Sequence, residues 1–408
     1  MKCRHCGARL RLPFIDLGAA PPSNSYLTRE QLRAPEKWYP LHVLVCENCW
    51  LVQTEDYVGA SELFTDDYAY FSSISTTWLD HARNYVAAMT DRLKLGPRSL
   101  VAEIAANDGY LLQYVRERGI PCYGVEPTKS TAAAARQKGL HIVEAFFGKE
   151  LAAELAGKGH QADLIVANNV LAHVPDINDF VAGFAILLKP SGVAAFEFPY
   201  LLNLVRENQF DTIYHEHYSY LSLTAVAEIF RANGLIVIDV EQLPTHGGSI
   251  RVFAQRSDAA SSAGEKVGTM LAQEQKAGVR QAAFYSGFQQ RAEAAKNALL
   301  AFLLEQKKAR RRVGAYGAAA KGNTLLNFAG VRGDLLPYVA DRSSTKQGKY
   351  LPGSRIPIVS ETYLLSDKPD WILVLPWNLR SELEVQLAVA KQWGGRLLCA
   401  IPELAICE

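Results

Sequence analysis

A strand–turn–helix pattern repeats between Ser99 and Asn168, and no other feature of this chain restricts its possible folds as strongly. Ser99–Ala105 is an apolar run that stops at the tight turn Ala106-Asn-Asp-Gly109, and helical periodicity resumes from Tyr110 to Arg118. Pro121–Glu126 repeats the apolar run and ends in an acid; Thr131–Lys138 is helical; His141–Phe147 and Ala162–Asn168 supply a third and a fourth strand. Continuous apolar strands alternating with helices predict a parallel sheet covered on both faces, with right-handed crossovers. A helix over about Trp78–Leu95, closed by Gly96-Pro97, precedes the pattern. Val193–Tyr200, a helix over Thr224–Asn233, and the strands Leu235–Val240 and Gly248–Ala254 follow it. The last two form a hairpin that completes the sheet.

Ligands of such a sheet sit at the carboxyl ends of its strands. Asp108 and Gly109 stand at the end of the first strand, where the backbone passes close to a ligand, and Glu126 ends the second, with two acceptor oxygens suited to a ribose diol. The stretch Glu103-Ile-Ala-Ala-Asn-Asp-Gly109 holds a single glycine, whereas a bound pyrophosphate needs a glycine-rich approach. A cofactor without phosphate, S-adenosylmethionine, fits better than a dinucleotide. Glu103, Asn107, Asp108, Gly109, Glu126, Phe147 and Asn168 are the candidates on the cofactor side.

Two Cys-x-x-Cys knuckles, Cys3-Arg-His-Cys6 and Cys46-Glu-Asn-Cys49, each place two thiolates on one turn. Together they make a closed tetrahedral sulfur site for a structural zinc ion, with His5 and His42 as substitute ligands that four sulfurs make unnecessary. The seven cysteines are odd in number and clustered, which argues against a disulfide framework. The segment between the knuckles is loop-like around Gly18–Pro22 and becomes a strand over Trp38–Val45. A length of 408 residues exceeds one core, and a formal net charge of +1 leaves no electrostatic footprint for nucleic acid or an anionic membrane. No apolar run is long enough to span a bilayer, and no signal peptide opens the chain, so a cytoplasmic location is expected.

Tyr214-His-Glu-His-Tyr218 gathers several groups able to hold or move a proton. If extended, it puts His215 and His217 on one face and Glu216 on the other. A metallohydrolase using His215 and His217 as ligands is one reading of this run. Tyr68, Tyr70 and Phe71 form an aromatic stretch able to line a cleft, and His173 follows the fourth strand. Farther on, Ala283–Arg312 reads as one long helix with a basic end, and Val313–Thr324 as strand, glycine-rich turn and helix. That turn, with Lys321, suits an anion such as the pyrophosphate of a nucleotide sugar.

The paired knuckles, Glu103-Ile-Ala-Ala-Asn-Asp-Gly-Tyr-Leu-Leu, Gly124-Val-Glu-Pro127, Leu171-Ala-His-Val-Pro, Tyr214-His-Glu-His-Tyr, Thr245-His-Gly-Gly-Ser-Ile-Arg251, Gly314–Asn323 and Asp341–Gly348 occur in this order. The combination resembles the nucleotide-sugar C-methyltransferases, which act on 4-keto-deoxysugar nucleotides in deoxysugar biosynthesis. The resemblance covers essentially the whole chain. It implies an α/β chain of three domains: a zinc-binding module at residues 1–75, a class I methyltransferase domain with a Rossmann-like sheet at 76–256, and a Rossmann-like nucleotide-sugar domain at 257–408. It implies His217 as catalytic base, with Tyr68, His173, Tyr214 and Glu216 around the sugar. Tyr70, Phe71, His215, His246, Lys321 and Asn323 are the remaining substrate-side candidates, and a monomer or weak dimer is expected. Two positions depart from the pattern: Ala105-Ala106 replaces glycine, and Ser344 stands where proline is common. Carbon 3 and carbon 5 are both open as the methylated atom. The reading from a different class is a nucleotide-sugar-binding protein without catalysis.

Overall fold

The computed structural model describes residues 1–59, 63, 71–259 and 263–407. Tyr68 and Tyr70 lie outside the described residues. Three sheets organise the chain.

Strands β1 (Leu12–Ala20), β2 (Tyr39–Val45) and β3 (Val52–Thr54) form an antiparallel sheet beside the knuckles. Of the loop expected around Gly18–Pro22, Gly18–Ala20 are instead the end of β1, and Pro21 and Pro22 lie in the loop that follows. The register of β1 against β2 shifts between Asp16 and Ala19, and Gly18 takes a positive φ of 74° there. Such an irregularity interrupts the strict alternation by which a strand is recognised.

The central sheet contains β4 (Val101–Ile104), β5 (Cys122–Val125), β6 (Ile142–Val143), β7 (Ala162–Asn168) and β8 (Leu188–Pro199), parallel to one another. After β8 the chain leaves this sheet, and β9 (Ser219–Tyr220) pairs with β3 of the N-terminal sheet. It then returns as the hairpin β10 (Leu235–Leu243) and β11 (Ser249–Arg256), with β11 antiparallel to β8. The resulting order β10-β11-β8-β7-β4-β5-β6 has its switch point at β4, where neighbours on either side follow in opposite directions along the chain. The helix Thr76–Leu93 buries Trp78, Ala82, Tyr85, Val86 and Met89 against this sheet, and Ser75 caps its start by accepting from the Trp78 N–H.

The third sheet has β12 (Val313–Tyr316), β13 (Val339–Ala340), β14 (Ile358–Val359), β15 (Trp371–Val374) and β16 (Arg396–Cys399) in parallel, with β17 (Ala405–Cys407) antiparallel at its edge. The long helix expected over Ala283–Arg312 is broken. Helices Ala282–Tyr285 and Phe288–Lys308 are separated at Ser286-Gly287, where Gly287 has a φ of 77°. The turn lets Phe288 stack on Phe14 of β1 at 4.4 Å, which ties this helix to the N-terminal sheet. Among the described residues, no helix is long and apolar enough to cross a membrane.

One buried acid joins two helices behind the site. Glu274 is fully buried, and its two carboxylate oxygens accept the Leu223 and Thr224 N–H groups at 2.7 Å each, at the first turn of helix Leu223–Ala232. Glu274→Ala leaves both donors unpaired, and a loss of about 2–4 kcal/mol is expected in denaturant unfolding.

Candidate active site

The cysteine cluster assembles as expected. Sγ of Cys3 lies 3.6 Å from that of Cys49, and Cys6 lies 3.5 Å from Cys46; the four sulfurs are within 4.8 Å of one another. A zinc ion with bonds of about 2.3 Å separates tetrahedral sulfurs by about 3.8 Å, so the donor set fits the metal. Gln53 Nε2 donates to Cys3 Sγ at 3.2 Å, and its Oε1 accepts the Arg4 N–H. His5 is not turned to the sulfurs: its Nδ1 is 2.7 Å from Asn178 Oδ1, on a helix of the central domain. Arg4 donates to the Pro175 and Thr54 carbonyls and lies 5.3 Å over the Tyr218 ring. The first knuckle thus touches both the loop after β7 and the run 214–218. His215 and His217 belong to no metal-ligating group among the described residues.

At the carboxyl ends of β4, β5 and β7 the structure gathers buried polar atoms. Both carboxylate oxygens of Glu103, one of Asp108, and both amide atoms of Asn168 lack a hydrogen-bond partner among the described residues. Burial pushes the Glu103 carboxyl well above the usual range. Glu126 is pinned by the Asn107 and Thr128 N–H groups, each at 2.9 Å. Ala105, Asn107 and Gly109 all adopt positive φ, and a Cβ on Gly109 would clash with Leu140. Buried donors and acceptors left over at a switch point are what a polar cofactor without phosphate satisfies. Asn107 Oδ1 accepts the Ser72 N–H, and Asp108 binds Ser73 and Lys138, so Phe71 and the short helix Ser72–Ile74 are fastened to this turn. Phe147 packs against Phe180 and Phe184 of helix Ile177–Leu187, with ring centroids 5.7 and 5.2 Å away.

The run Tyr214–Tyr218 is a turn rather than a strand: the His217 N–H donates to the Tyr214 carbonyl at 2.9 Å. The face-sharing that an extended run would impose on His215 and His217 is therefore lost. His215 Nε2 lies 3.2 Å from the Tyr39 and Pro40 carbonyls of the N-terminal sheet. His217 points the other way. Its Nδ1 is 2.8 Å from the Thr212 carbonyl, which can only accept, so Nδ1 carries the proton and Nε2 presents a lone pair. The Tyr214 ring lies 4.0 Å and the His173 ring 4.6 Å from the His217 ring. Glu216 directs its carboxylate to Asn24 Nδ2 of the N-terminal module, at 2.7 and 2.9 Å.

Asp211, Trp377 and Glu197 were not singled out in the sequence, whereas Lys321, Asn323 and His246 were expected on the substrate side. Asp211 is fully buried, accepts the Trp377 indole N–H at 2.7 Å, and is raised by burial to about 6. Lys321 lies 4.6 Å over the Trp377 ring and donates to Asn378. Asn323 turns to the Ser23 carbonyl at 2.6 Å. Glu197 accepts from His81, Arg251 and Thr245, which fixes the turn that carries His246. His246 itself meets Asn169 at 3.2 Å and the Trp78 ring at 5.1 Å. These partners come from stretches far apart in the sequence, and nothing in local pattern predicts their meeting.

Burial holds the imidazoles neutral. His173 and His246 are lowered to about 4, and His217 falls well below its ordinary value through burial and the charges of His173, Lys321 and His246. A depressed folded-state value means that the unfolded chain binds more protons, so this stability is full above about 6.5 and is lost as pH falls through about 4. Asp211 and Glu103 act in the opposite sense, the Asp211 contribution being lost as pH rises through about 6. The lowered histidines, His173, His215, His217 and His246, outnumber these two acids. The free energy of unfolding is expected to fall between pH 6.5 and 4, with a shallower slope for His246→Gln, measured by denaturant titration at each pH.

Three family profiles tile the chain: a zinc binding domain at residues 3–64, a methyltransferase domain at 78–240, and a C-methyltransferase C-terminal domain at 244–402. Among solved structures, magnesium protoporphyrin IX methyltransferase from Synechocystis, with bound SAH, is 17% identical with a TM-score of 0.35, over 44% of this chain and 83% of that one. The PH0226 protein of Pyrococcus horikoshii is 13% identical with a TM-score of 0.39, over 46% of this chain and 95% of that one. The C-methyltransferase NovU of Streptomyces niveus is 34% identical over 402 residues, covering 98% of this chain and 96% of that protein. With its cysteine cluster, its β4 switch point and its three profiles in sequence, this chain belongs to the C-methyltransferases, which use S-adenosylmethionine, and it carries a structural zinc site.

Proposed function

We propose that the protein methylates carbon 3 or carbon 5 of a nucleotide-linked 4-keto-deoxysugar, at the position beside the ketone, in deoxysugar biosynthesis. The observation that carries this reading is His217: a buried neutral imidazole whose tautomer is set by Thr212, between the cofactor-side pocket and the third sheet. Methylating carbon requires a carbanion equivalent, and a proton beside a ketone is acidic enough once the enolate oxygen is stabilised. His217 Nε2 takes that proton; the C–H electron pair moves into the enolate. Tyr214 donates to the enolate oxygen, with Tyr68 as the second candidate donor. His173 keeps the local environment neutral, and Glu216 accepts from a sugar hydroxyl. When bound, S-adenosylmethionine supplies an electrophilic methyl group, with Glu126 positioned for its ribose and Asn168 and Glu103 for its polar edges. Lys321 and the turn after β12 would bind the pyrophosphate, and Phe71 and His246 the sugar, with Tyr70 a further candidate by residue type. His215 supports the site by anchoring it to the N-terminal sheet.

Residues 1–75, 76–256 and 257–408 then act as zinc module, methyl-transfer domain and nucleotide-sugar domain. The test is product analysis over a panel of keto-sugar nucleotides. A methyl group on the carbon next to the ketone is expected; transfer only to oxygen or nitrogen, or none, overturns the reading.

A further inference from the structure

Three residues of the loop Pro21–Tyr26 of the N-terminal module hydrogen-bond to other parts of the molecule. The Ser23 carbonyl accepts from Asn323 at 2.6 Å, the Tyr26 hydroxyl donates to the Ala318 carbonyl at 2.7 Å, and Asn24 Nδ2 donates to both oxygens of Glu216. The first two contacts reach the glycine-rich turn after β12 and its helix Ala320–Phe328. The third reaches the turn that presents His217. The loop therefore spans the region between the base and the third sheet.

We propose that Asn24 is a positioning residue for methyl transfer, acting through Glu216. This inference rests on the function proposed above. One amide nitrogen contacting both carboxylate oxygens, at 2.7 and 2.9 Å, fixes the plane of a side chain that is 2% exposed. Glu216 directly precedes His217 in the turn closed by the His217 N–H on the Tyr214 carbonyl, so fixing its carboxylate fixes the turn that presents the base. The contact is made by the zinc-bearing module, so that module shapes the substrate site as well as supporting the fold. A Tyr26 hydroxyl bound at the neighbouring turn holds the loop against the side proposed for the nucleotide.

The test uses the zinc-loaded full chain and the keto-sugar nucleotide that the wild type methylates. Asn24→Ala, Glu216→Gln and the double variant are compared in kcat/KM, in S-adenosylmethionine affinity by calorimetry, and in melting temperature. Asn24→Ala is expected to lower kcat/KM by about tenfold to a hundredfold, with the cofactor affinity unchanged. Because Asn24 acts through Glu216, the double variant loses no more than Glu216→Gln alone. Additive losses overturn the proposal, and so does an Asn24→Ala variant with wild-type kcat/KM. A parallel fall in melting temperature and cofactor affinity assigns Asn24 to folding alone and also overturns it. Absence of methyl transfer by the wild type on every keto-sugar nucleotide defeats the function reading itself, and Asn24 with it.

Discussion

His217→Asn is expected to lower kcat by about a thousandfold while leaving S-adenosylmethionine binding intact. Asparagine preserves a polar side chain of similar reach but has no basic nitrogen. The wild-type ring is held by the Thr212 carbonyl at 2.8 Å and flanked by Tyr214 and His173, so its orientation does not depend on substrate. Its low affinity for protons has a second consequence. The base form persists below pH 6.5, so the acidic limb of the kcat/KM profile lies well under the value for a free imidazole. Proton abstraction can be read separately from methyl transfer: in D2O the wild type exchanges the C–H beside the ketone, and His217→Asn does not. Exchange by the variant at the wild-type rate removes His217 as the base.

Loss of zinc is the second large effect. Structural zinc sites of this type contribute on the order of 10 kcal/mol to folding, more than any single side chain here. Cys46→Ser, or a strong chelator, is expected to unfold the sheet β1-β2-β3-β9 and abolish activity. The link to activity is structural: β9 begins one residue after Tyr218, and Arg4 and His5 of the first knuckle touch Tyr218 and the helix of Asn178. Metal analysis should give one zinc per chain, lost with the cysteine. A Cys46→Ser chain that keeps its secondary structure and turnover contradicts this assignment.

The sequence was most legible where a short-range rule applies. Parallel strands are continuous apolar runs, and all five strands of the central parallel set lie within the stretches expected for them or extend them at an end. The sulfur cluster was legible because each knuckle needs only one turn. What escaped depends on contacts distant in sequence. The strand β1 carries a register shift at Gly18, and the helix after Ala282 breaks at Gly287, where a positive φ is adopted without side-chain signal. The site shows the same division. His217 stands in an unusual local run, whereas Asp211, Trp377 and Asn24 look ordinary until Trp377 meets Asp211 and Asn24 meets Glu216. His215 and His217 are equivalent by residue type and two positions apart; the turn at Tyr214–His217 is what separates a ring anchored to the N-terminal sheet from a ring that keeps a free Nε2 lone pair.

Carbon methylation beside a ketone is read out by isotope labelling. The protein is incubated with S-adenosylmethionine carrying a 13C methyl group and a nucleotide-linked 4-keto-deoxysugar, and the product is read by NMR. A labelled methyl bonded to the ring carbon adjacent to the ketone is expected, with loss of one C–H at that carbon. A labelled methyl on oxygen or nitrogen, or label that stays wholly on the donor, contradicts it.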